Sequence, residues 1–167
     1  DSGSNALALT TSARKNGDGW VLNGSKTFVT NAPVADLFVI YARTSGSGFA
    51  GLTCFLIPRE TEGLTVGPEI EKMGLRTSPM AQVFFENCRV PATAVLGTVG
   101  SAAMIFNQTM DFERLLVMAP AIGVMERVVE TCVAHARQRK TGSRPIGSHQ
   151  SIAHRIADME LELESAR

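Results

Sequence analysis

A short segment near the start of the chain, Asn23–Asn31, combines an aromatic ring with a hydroxyl group. Strand-like alternation places Phe28 and Thr30 on one face and Val29 on the other, so the ring and the hydroxyl can meet the same flat ligand. An ordinary hairpin strand with a core phenylalanine would contain the same residues. The segment therefore indicates either a site for a planar ring or a structural strand.

A carboxylate that could act as a base lies past the middle of the chain. Glu113 is one of few acids in an otherwise apolar run, Met110–Met118. Burial would disfavour its charged form and make it a better general base, as removal of a proton from carbon requires. The alternative is a surface glutamate paired with Arg114 or another cation. Asp111 could accept a hydrogen bond from an amide of a ligand, and Arg114 could bind an anion. Alternatively, the two residues could form a charge cluster within the helix without a ligand.

Fixed positive charges stand next to a hydroxyl group further along, at Arg139, Lys140 and Thr141, and His149 and Gln150 follow. Arginine carries a permanent charge, a threonine hydroxyl can donate, and a glutamine amide can bond a ribose or a ring edge. Such a set suits a ligand with a pyrophosphate. A solvated basic helix end, favourable to the helix dipole, would also explain the cations.

Length and composition predict a globular chain that binds a small ligand or a protein. The 167 residues are 44% hydrophobic, and 16 Lys and Arg balance 16 Asp and Glu, so no overall field attracts nucleic acid or an anionic membrane. The three widely spaced cysteines indicate reduced core thiols: Cys54, Cys88 and Cys132. No apolar run approaches the ~20 residues of a membrane span, and no basic-then-apolar pattern opens the sequence, so we expect neither membrane insertion nor secretion.

Other familiar kinds of site are not predicted. His149 and His154 are five residues apart, and Cys132 and His135 lack acidic or thiolate neighbours, so we expect no metal site. The G-x-S-x-G motif of a serine hydrolase and the G-x-G-x-x-G motif of a dinucleotide-binding fold are both missing.

The first part of the chain, which must position the Asn23–Asn31 segment, is predicted to be all β. Regularly spaced strands predict an antiparallel barrel or sandwich, and the Asn23-Gly24 dipeptide predicts a hairpin turn. A further turn is expected at Lys15–Gly19. The predicted strands are Ala6–Arg14, Trp20–Leu22, Thr27–Thr30, Leu37–Arg43, Gly51–Ile57, Ile70–Met73 and Gln82–Glu86.

The second block is predicted to be helical. Apolar residues recur every three or four positions from Ser101 to Arg139, which predicts a helix with one buried stripe, and Pro120 is expected to kink or break it. Helical spacing resumes from Gln150 to Arg167. We therefore predict an α+β fold with a β-domain at 1–97 and the first helices of a helical domain at 98–167. Because the chain starts without Met and ends inside a predicted helix, we expect a piece of a longer protein. The predicted stripe comprises Met104, Ile105, Gln108, Phe112, Leu115, Leu116, Ala119, Ile122, Met125, Val128, Val129 and Val133.

This order of motifs resembles the middle and early C-terminal domains of the acyl-CoA dehydrogenase family. Asp1–Asn5 resembles the end of the family's Thr-Glu-Pro-Asp-x-Gly-Ser-Asp loop, and Asn23–Asn31 resembles its Asn-Gly-x-Lys-x-(Trp/Phe)-Ile-Thr-Asn strand. Lys72–Ser78 and Phe85–Pro91 resemble two sheet segments of its β-domain. Asp111–Leu115 resembles the Glu-Arg-Leu helix of the isovaleryl- and long-chain branch, and 139–150 its Arg-Lys-Thr-Phe-Gly…His-Gln segment, without the phenylalanine.

The resemblance implies a flavin site built from these segments, with FAD as cofactor. Phe28, Val29 and Thr30 are expected to contact the isoalloxazine. Glu113 is expected to be the catalytic base, although most of the family carries its base at a position that would lie beyond Arg167. The substrate thioester is expected to contact Ser4, Asp111 and Arg114, and the FAD tail of a neighbouring subunit to contact Arg139, Lys140, Thr141, His149 and Gln150.

The implied function is FAD-dependent oxidation of an acyl thioester to the trans-2-enoyl thioester, by α-proton abstraction and β-hydride transfer. The family also implies a homodimer or homotetramer, an electron-transfer flavoprotein or similar acceptor, and a cytoplasmic or mitochondrial-matrix location. Three alternatives remain: action on acyl groups bound to a carrier protein, reaction with O₂ as an oxidase or monooxygenase, and a non-catalytic oligomerisation module.

Overall fold

The computed structural model describes Asn5, residues 8–46 and residues 48–167. The chain divides into two compact units, unit 1 from Asp1 to Gln108 and unit 2 from Thr109 to Arg167. No described helix is both long enough and apolar enough to cross a bilayer.

Unit 1 is built on a seven-stranded sheet with the order β5-β6-β2-β1-β3-β4-β7. Neighbouring strands pair antiparallel, except that β1 meets β3 in a parallel bridge between Ser12 and Arg43. With the helices that follow, this sheet confirms the predicted α+β class. The strands are β1 (Ser12–Asn16), β2 (Gly19–Thr30), β3 (Leu37–Arg43), β4 (Leu52–Pro58), β5 (Leu64–Glu69), β6 (Met80–Pro91) and β7 (Val95–Leu96).

The first hairpin turns at Gly17 and Asp18, within the turn predicted at Lys15–Gly19, and β1 pairs with β2 from Asn16 and Gly19 outwards. The hairpin predicted at Asn23-Gly24 is wrong, because both residues lie inside β2.

A bulge in the neighbouring strand explains why Asn23 does not turn the chain. Between the pairs Leu22–Cys88 and Gly24–Phe85, β6 has one residue more than β2. The backbone N–H of Asn87 donates to the side-chain oxygen of Asn23 at 2.9 Å, so the asparagine supports the irregular pairing.

Gly24 is required by a close approach of the chain. A Cβ atom at this position would lie 2.9 Å from the Cα of the buried Thr11, and the φ of Gly24 is +135°. Only glycine fits both conditions without strain. The dipeptide thus marks a tight crossing within the sheet and not a turn.

Strand β5 and the segment that follows it also differ from the prediction. Leu64–Glu69 forms a strand that the sequence did not predict, whereas Ile70–Met73 is not a strand. Instead, Lys72 donates to the carbonyl oxygens of Leu75, at 2.9 Å, and Ser78. These bonds hold a compact loop in place of the expected strand.

Apolar side chains from the strands form the core of unit 1. Trp20 meets Phe55 edge to face, with ring centroids 5.8 Å apart. Cys54 and Cys88 are free and buried, as predicted, and Cys132 of unit 2 is free and half-buried. The largest fully buried apolar side chains are Phe55, Phe85, Leu22, Ile57 and Val83.

The predicted long helix is broken where Pro120 requires it. Helix α1 (Ala102–Leu116) ends four residues before Pro120, and α2 (Ala119–Gln138) begins with the proline in its first turn. A proline ring would collide with the carbonyl group four residues earlier, whereas the first turn needs no N–H from it. The division between the two units falls inside α1.

In unit 2, α2 packs against α3 (Gln150–Ala166). Between them in the chain lies a two-stranded hairpin of β8 (Lys140–Thr141) and β9 (Arg144–Pro145). Arg167 at the end of α3 pairs with Glu126 near the start of α2, at 2.7 Å, so the two helices run antiparallel. The side chains buried in this unit are Val129, Ala136 and Leu163.

The prediction of one buried stripe along the whole helical run is wrong for much of its length. Phe112 is 67% exposed and Leu115 74%, and Met104, Leu116 and Val128 are also exposed. Burial needs an apolar neighbour: α1 packs into an apolar cluster near its start, at Ala102 and Ile105, and α3 covers only part of α2.

Candidate functional site

The aromatic residue of the first predicted segment has an unusual backbone. Between the pairs Lys26–Val83 and Val29–Ala81, β2 has one residue more than β6, which makes a bulge at Thr27 and Phe28. Phe28 has a φ of +59°, a left-handed conformation that is uncommon for a bulky residue. Its ring is 66% exposed. A strained residue with an exposed ring is typical of a binding site.

Hydrogen bonds fix the chain on both sides of Phe28. Before it, the side-chain amide of Gln82 donates to the Thr27 hydroxyl at 3.3 Å. After it, the N–H of Asn31 donates to the carbonyl oxygen of Pro79 at 2.7 Å, and the hydroxyl of Ser78 is 3.2 Å from the Asn31 side-chain oxygen. We refer to Thr27–Asn31 as the Phe28 bulge.

From Phe28 to Thr30, the exposure of the side chains alternates as expected from the sequence. Phe28 and Thr30 are exposed, while Val29 is half-buried against the core of the sheet. The ring and the hydroxyl are therefore available to a ligand, as the prediction for these residues requires.

The acidic segment of α1 is exposed throughout. Asp111, Glu113 and Arg114 all face water, and the Arg114 guanidinium lies 4.0 Å from the Asp111 carboxylate. The expected burial of Glu113 is wrong for this chain. The charge cluster considered as an alternative is present, although the arginine partner is Asp111 and not Glu113.

The basic segment forms the exposed hairpin of unit 2. Arg139 ends α2, Lys140 and Thr141 form β8, and Gly142 takes a φ of +64° in the turn. Across the described ranges, no ion pair involves Arg139, Lys140 or Arg144 of β9. Unpaired cations beside a hydroxyl are able to bind phosphate groups.

His149 and Gln150 lie at the start of α3, joined to this basic hairpin by the short turn Ile146–Ser148. The carbonyl oxygen of His149 accepts from the N–H groups of Ile152 and Ala153, both at 3.0 Å. Both side chains are exposed. Their imidazole and amide groups are free to meet a ligand.

The predicted residues therefore fall into two groups. Phe28, Val29 and Thr30 belong to unit 1, and the acidic and basic segments belong to unit 2. Ser4 lies outside the described residues. Within the same described ranges, no three histidine, cysteine or acidic side chains form a cluster that could hold a metal ion.

Sequence reasoning did not single out Lys26, which lines a cavity of about 270 Å³ in unit 1. The cavity walls are largely apolar and include Leu9, Val39, Tyr41 and Phe106. Burial lowers the pKa of Lys26 to about 8. One signal was available, because Lys26 is the single charged residue in the twelve-residue strand β2.

Comparison with known proteins identifies the class to which this fold and these segments belong. Residues 1–88 match the family model for the acyl-CoA dehydrogenase middle domain, and residues 103–167 match that for the acyl-CoA dehydrogenase C-terminal domain. The chain therefore belongs to the acyl-CoA dehydrogenase family, as the sequence motifs predicted.

Individual relatives agree with this assignment. The chain is 41% identical to L-prolyl-[peptidyl-carrier protein] dehydrogenase of Pseudomonas fluorescens over 100% of its own length, and 40% identical to the mitochondrial short-chain specific acyl-CoA dehydrogenase of Homo sapiens over 99%. It covers 44% and 40% of those two proteins, so it spans less than half of their length.

A solved structure agrees in fold and indicates the cofactor. A crystal structure of an FAD-dependent dehydrogenase superimposes with a TM-score of 0.90 and 44% identity, over 99% of this chain and 45% of that one. FAD is thus the cofactor that the comparisons indicate for the family.

Proposed function

We propose that this chain is part of an FAD-dependent dehydrogenase of acyl thioesters. The observation that carries the proposal is the match of the chain to two successive acyl-CoA dehydrogenase domains, over 1–88 and 103–167. The product is the trans-2-enoyl thioester. Each unit carries candidate groups for this reaction, and most of those that the structure describes face water.

The residues of the Phe28 bulge suit the isoalloxazine ring. An exposed aromatic ring held by a strained backbone can stack on a flat ligand, and the nearby Thr30 hydroxyl can bond the edge of the ring. Val29 anchors the segment to the core. Bound FAD would supply a two-electron acceptor for the β-hydride.

The basic hairpin suits the pyrophosphate and adenosine of FAD. Arg139 and Lys140 carry charges that no described acid neutralises, and Thr141 adds a donor. His149 and Gln150 can bond the ribose or the ring edge. In this proposal the FAD belongs to a neighbouring subunit, which makes the protein a homodimer or homotetramer.

Glu113 is the proposed base that removes the α-proton of the thioester. It is exposed here, and docking of the thioester against it would provide the desolvation that a strong base needs. Asp111 and Arg114 are proposed to contact the pantetheine and nucleotide portions, and Ser4 the thioester. The electrons then pass to an electron-transfer flavoprotein or a similar acceptor.

A second candidate acts on an acyl group carried by a protein. It is favoured by the 41% identity to L-prolyl-[peptidyl-carrier protein] dehydrogenase. The same residues would serve, because the phosphopantetheine arm and the thioester are shared by both donors. The two donors differ only in the group attached to the phosphate of this arm, which is a nucleotide in CoA and a protein in the second candidate.

Anaerobic titration of the full-length protein tests both candidates. Purified protein should be yellow and should bleach with an acyl-CoA or, for the second candidate, only with an acyl-carrier protein. Glu113→Gln should keep the colour and lose the bleaching. Glu130→Gln, which removes another exposed acid, is the matched control and should bleach normally.

Three outcomes would contradict parts of this proposal. Bleaching by Glu113→Gln would show that the base is another residue. A colourless protein that assembles normally would indicate the non-catalytic module. Rapid reoxidation by O₂ with turnover would indicate an oxidase or monooxygenase.

A further inference from the structure

Lys26 lies in the wall of the cavity of unit 1 with its side chain half-buried. In the part of the chain that the structure describes, no hydrogen bond or ion pair reaches its amine. An unpartnered amine among apolar walls is unfavourable in its charged form. Its surroundings favour the neutral form, which is the nucleophile.

The other lysines of the chain have different environments. Lys15 lies over the Trp20 ring at 5.3 Å, and Lys72 donates to two backbone carbonyl groups. Lys140 is exposed on the basic hairpin. Lys26 alone among these four combines a cavity, apolar walls and an amine without a partner.

We propose that Lys26 is a site of acylation by the acyl thioesters that the protein binds, and that the cavity accommodates the acyl chain. The amine nitrogen attacks the thioester carbonyl carbon, forming an amide bond as the carbon–sulfur bond breaks. The thiol leaves and takes up the proton released from the nitrogen. No oxidant or reductant is consumed.

The size of the cavity sets the kind of acyl group. About 270 Å³ lies just below the usual range for small-molecule sites, so a short chain fits and a long one does not. Leu9, Val39 and Phe106 offer it apolar contacts. Butyryl groups should therefore react more readily than palmitoyl groups.

The ionisation of the amine supports this chemistry. Burial lowers the pKa of Lys26 from 10.5 to about 8, so about half of the amine is neutral at pH 8. Tyr41 is the only other titratable side chain in the described cavity wall, and no carboxylate lines it. Among the described residues of the wall, no acid would hold the proton on Lys26.

The proposal rests on the proposed function only for the identity of the acyl donor. The full-length flavoprotein is incubated anaerobically with butyryl-CoA at pH 8, and flavin bleaching and the occupancy of each lysine by peptide mass spectrometry are followed in the same sample. We expect Lys26 to be butyrylated about tenfold faster than Lys15, Lys72 or Lys140, the larger neutral fraction being partly offset by lower nucleophilicity.

Variants separate the amine from the cavity. Lys26→Arg should lose the modification at this position while the other three lysines keep their slow rates. Ala103→Leu adds apolar bulk to the cavity wall and leaves the amine in place. It should slow butyrylation of Lys26 severalfold without changing that of Lys140.

The outcomes are distinguishable from failure of the proposed function. Flavin bleaching together with butyrylation that does not favour Lys26 would overturn this proposal, and the proposed dehydrogenase function would still stand. Butyrylation of Lys26 without bleaching would support this proposal and count against the dehydrogenase. Because the main measurement uses the unaltered protein, a variant that fails to fold does not decide it.

Discussion

The side-chain amide of Gln82 donates a 3.3 Å hydrogen bond to the hydroxyl of Thr27, directly before the strained Phe28. The bond crosses from β6 to the extra residue of β2, at the point where regular pairing fails. It therefore helps to hold the backbone conformation that exposes the Phe28 ring.

Gln82→Leu and Thr27→Val should each weaken FAD binding by the full-length protein. Loss of one exposed hydrogen bond costs about 1 kcal/mol, or roughly fivefold in affinity. The double variant should be no weaker than either single variant, because both remove the same bond. Flavin fluorescence titration measures this. Thr65→Val, at an exposed threonine of β5, is the control, and additive losses would contradict the coupling.

Gly24→Ala should destabilise unit 1 by about 2 kcal/mol or more, because the added methyl group meets the Thr11 backbone at 2.9 Å in a left-handed conformation. Urea unfolding followed by Trp20 fluorescence measures the change. Gly74→Ala, where a Cβ atom has nothing within 4 Å, is the matched control and should be nearly neutral. Equal effects at both positions would refute the close-approach argument.

The stability of the protein should depend on pH through Lys26. The pKa of Lys26 in the folded state, about 8, is below the ordinary 10.5, so between these values the unfolded chain binds more protons. Stability that depends on Lys26 therefore rises with pH across this window. Below pH 8 the buried charge is unfavourable.

Lys26→Met should accordingly be more stable than the unaltered protein at pH 7, by on the order of 2 kcal/mol, and this advantage should shrink as pH approaches 10.5. Thermal unfolding at a series of pH values measures it. Lys140→Met, on the exposed basic hairpin, is the control. An advantage that stays constant with pH would contradict burial as the cause.

The basic hairpin should contribute to FAD binding through phosphate contacts. Arg139→Gln should weaken binding of FAD about threefold at low salt and have little effect on riboflavin, which lacks phosphate. The loss should diminish at high salt because ions screen exposed charges. Arg127→Gln removes a cation that Glu130 already pairs at 3.1 Å, and it should change neither affinity. Equal losses for FAD and riboflavin would argue against a phosphate contact.

Local chemistry in the sequence determined the helical part of the fold. Apolar spacing located the outer ends of the helical run Ser101–Arg139, and both ends of α3, to within a residue or two. Pro120 predicted the break between α1 and α2, because a proline excludes helix geometry through its own ring, although α1 already ends at Leu116. The sequence also proposed groups to meet a ring, an acidic C–H bond and phosphates, and these roles stay predictions. Their order along the chain was sufficient to indicate the family.

The tertiary structure alone decided several features of the sheet. Asn23-Gly24 has the composition of a hairpin turn, yet it lies within β2, because the bulge at Asn87 and the close approach of Thr11 come from distant parts of the chain. The positive φ of Phe28 likewise depends on the pairing of β2 with β6. Lys26 acquires its cavity from residues between Leu9 and Phe106. Such properties arise from contacts between segments far apart in sequence, which local periodicity cannot register.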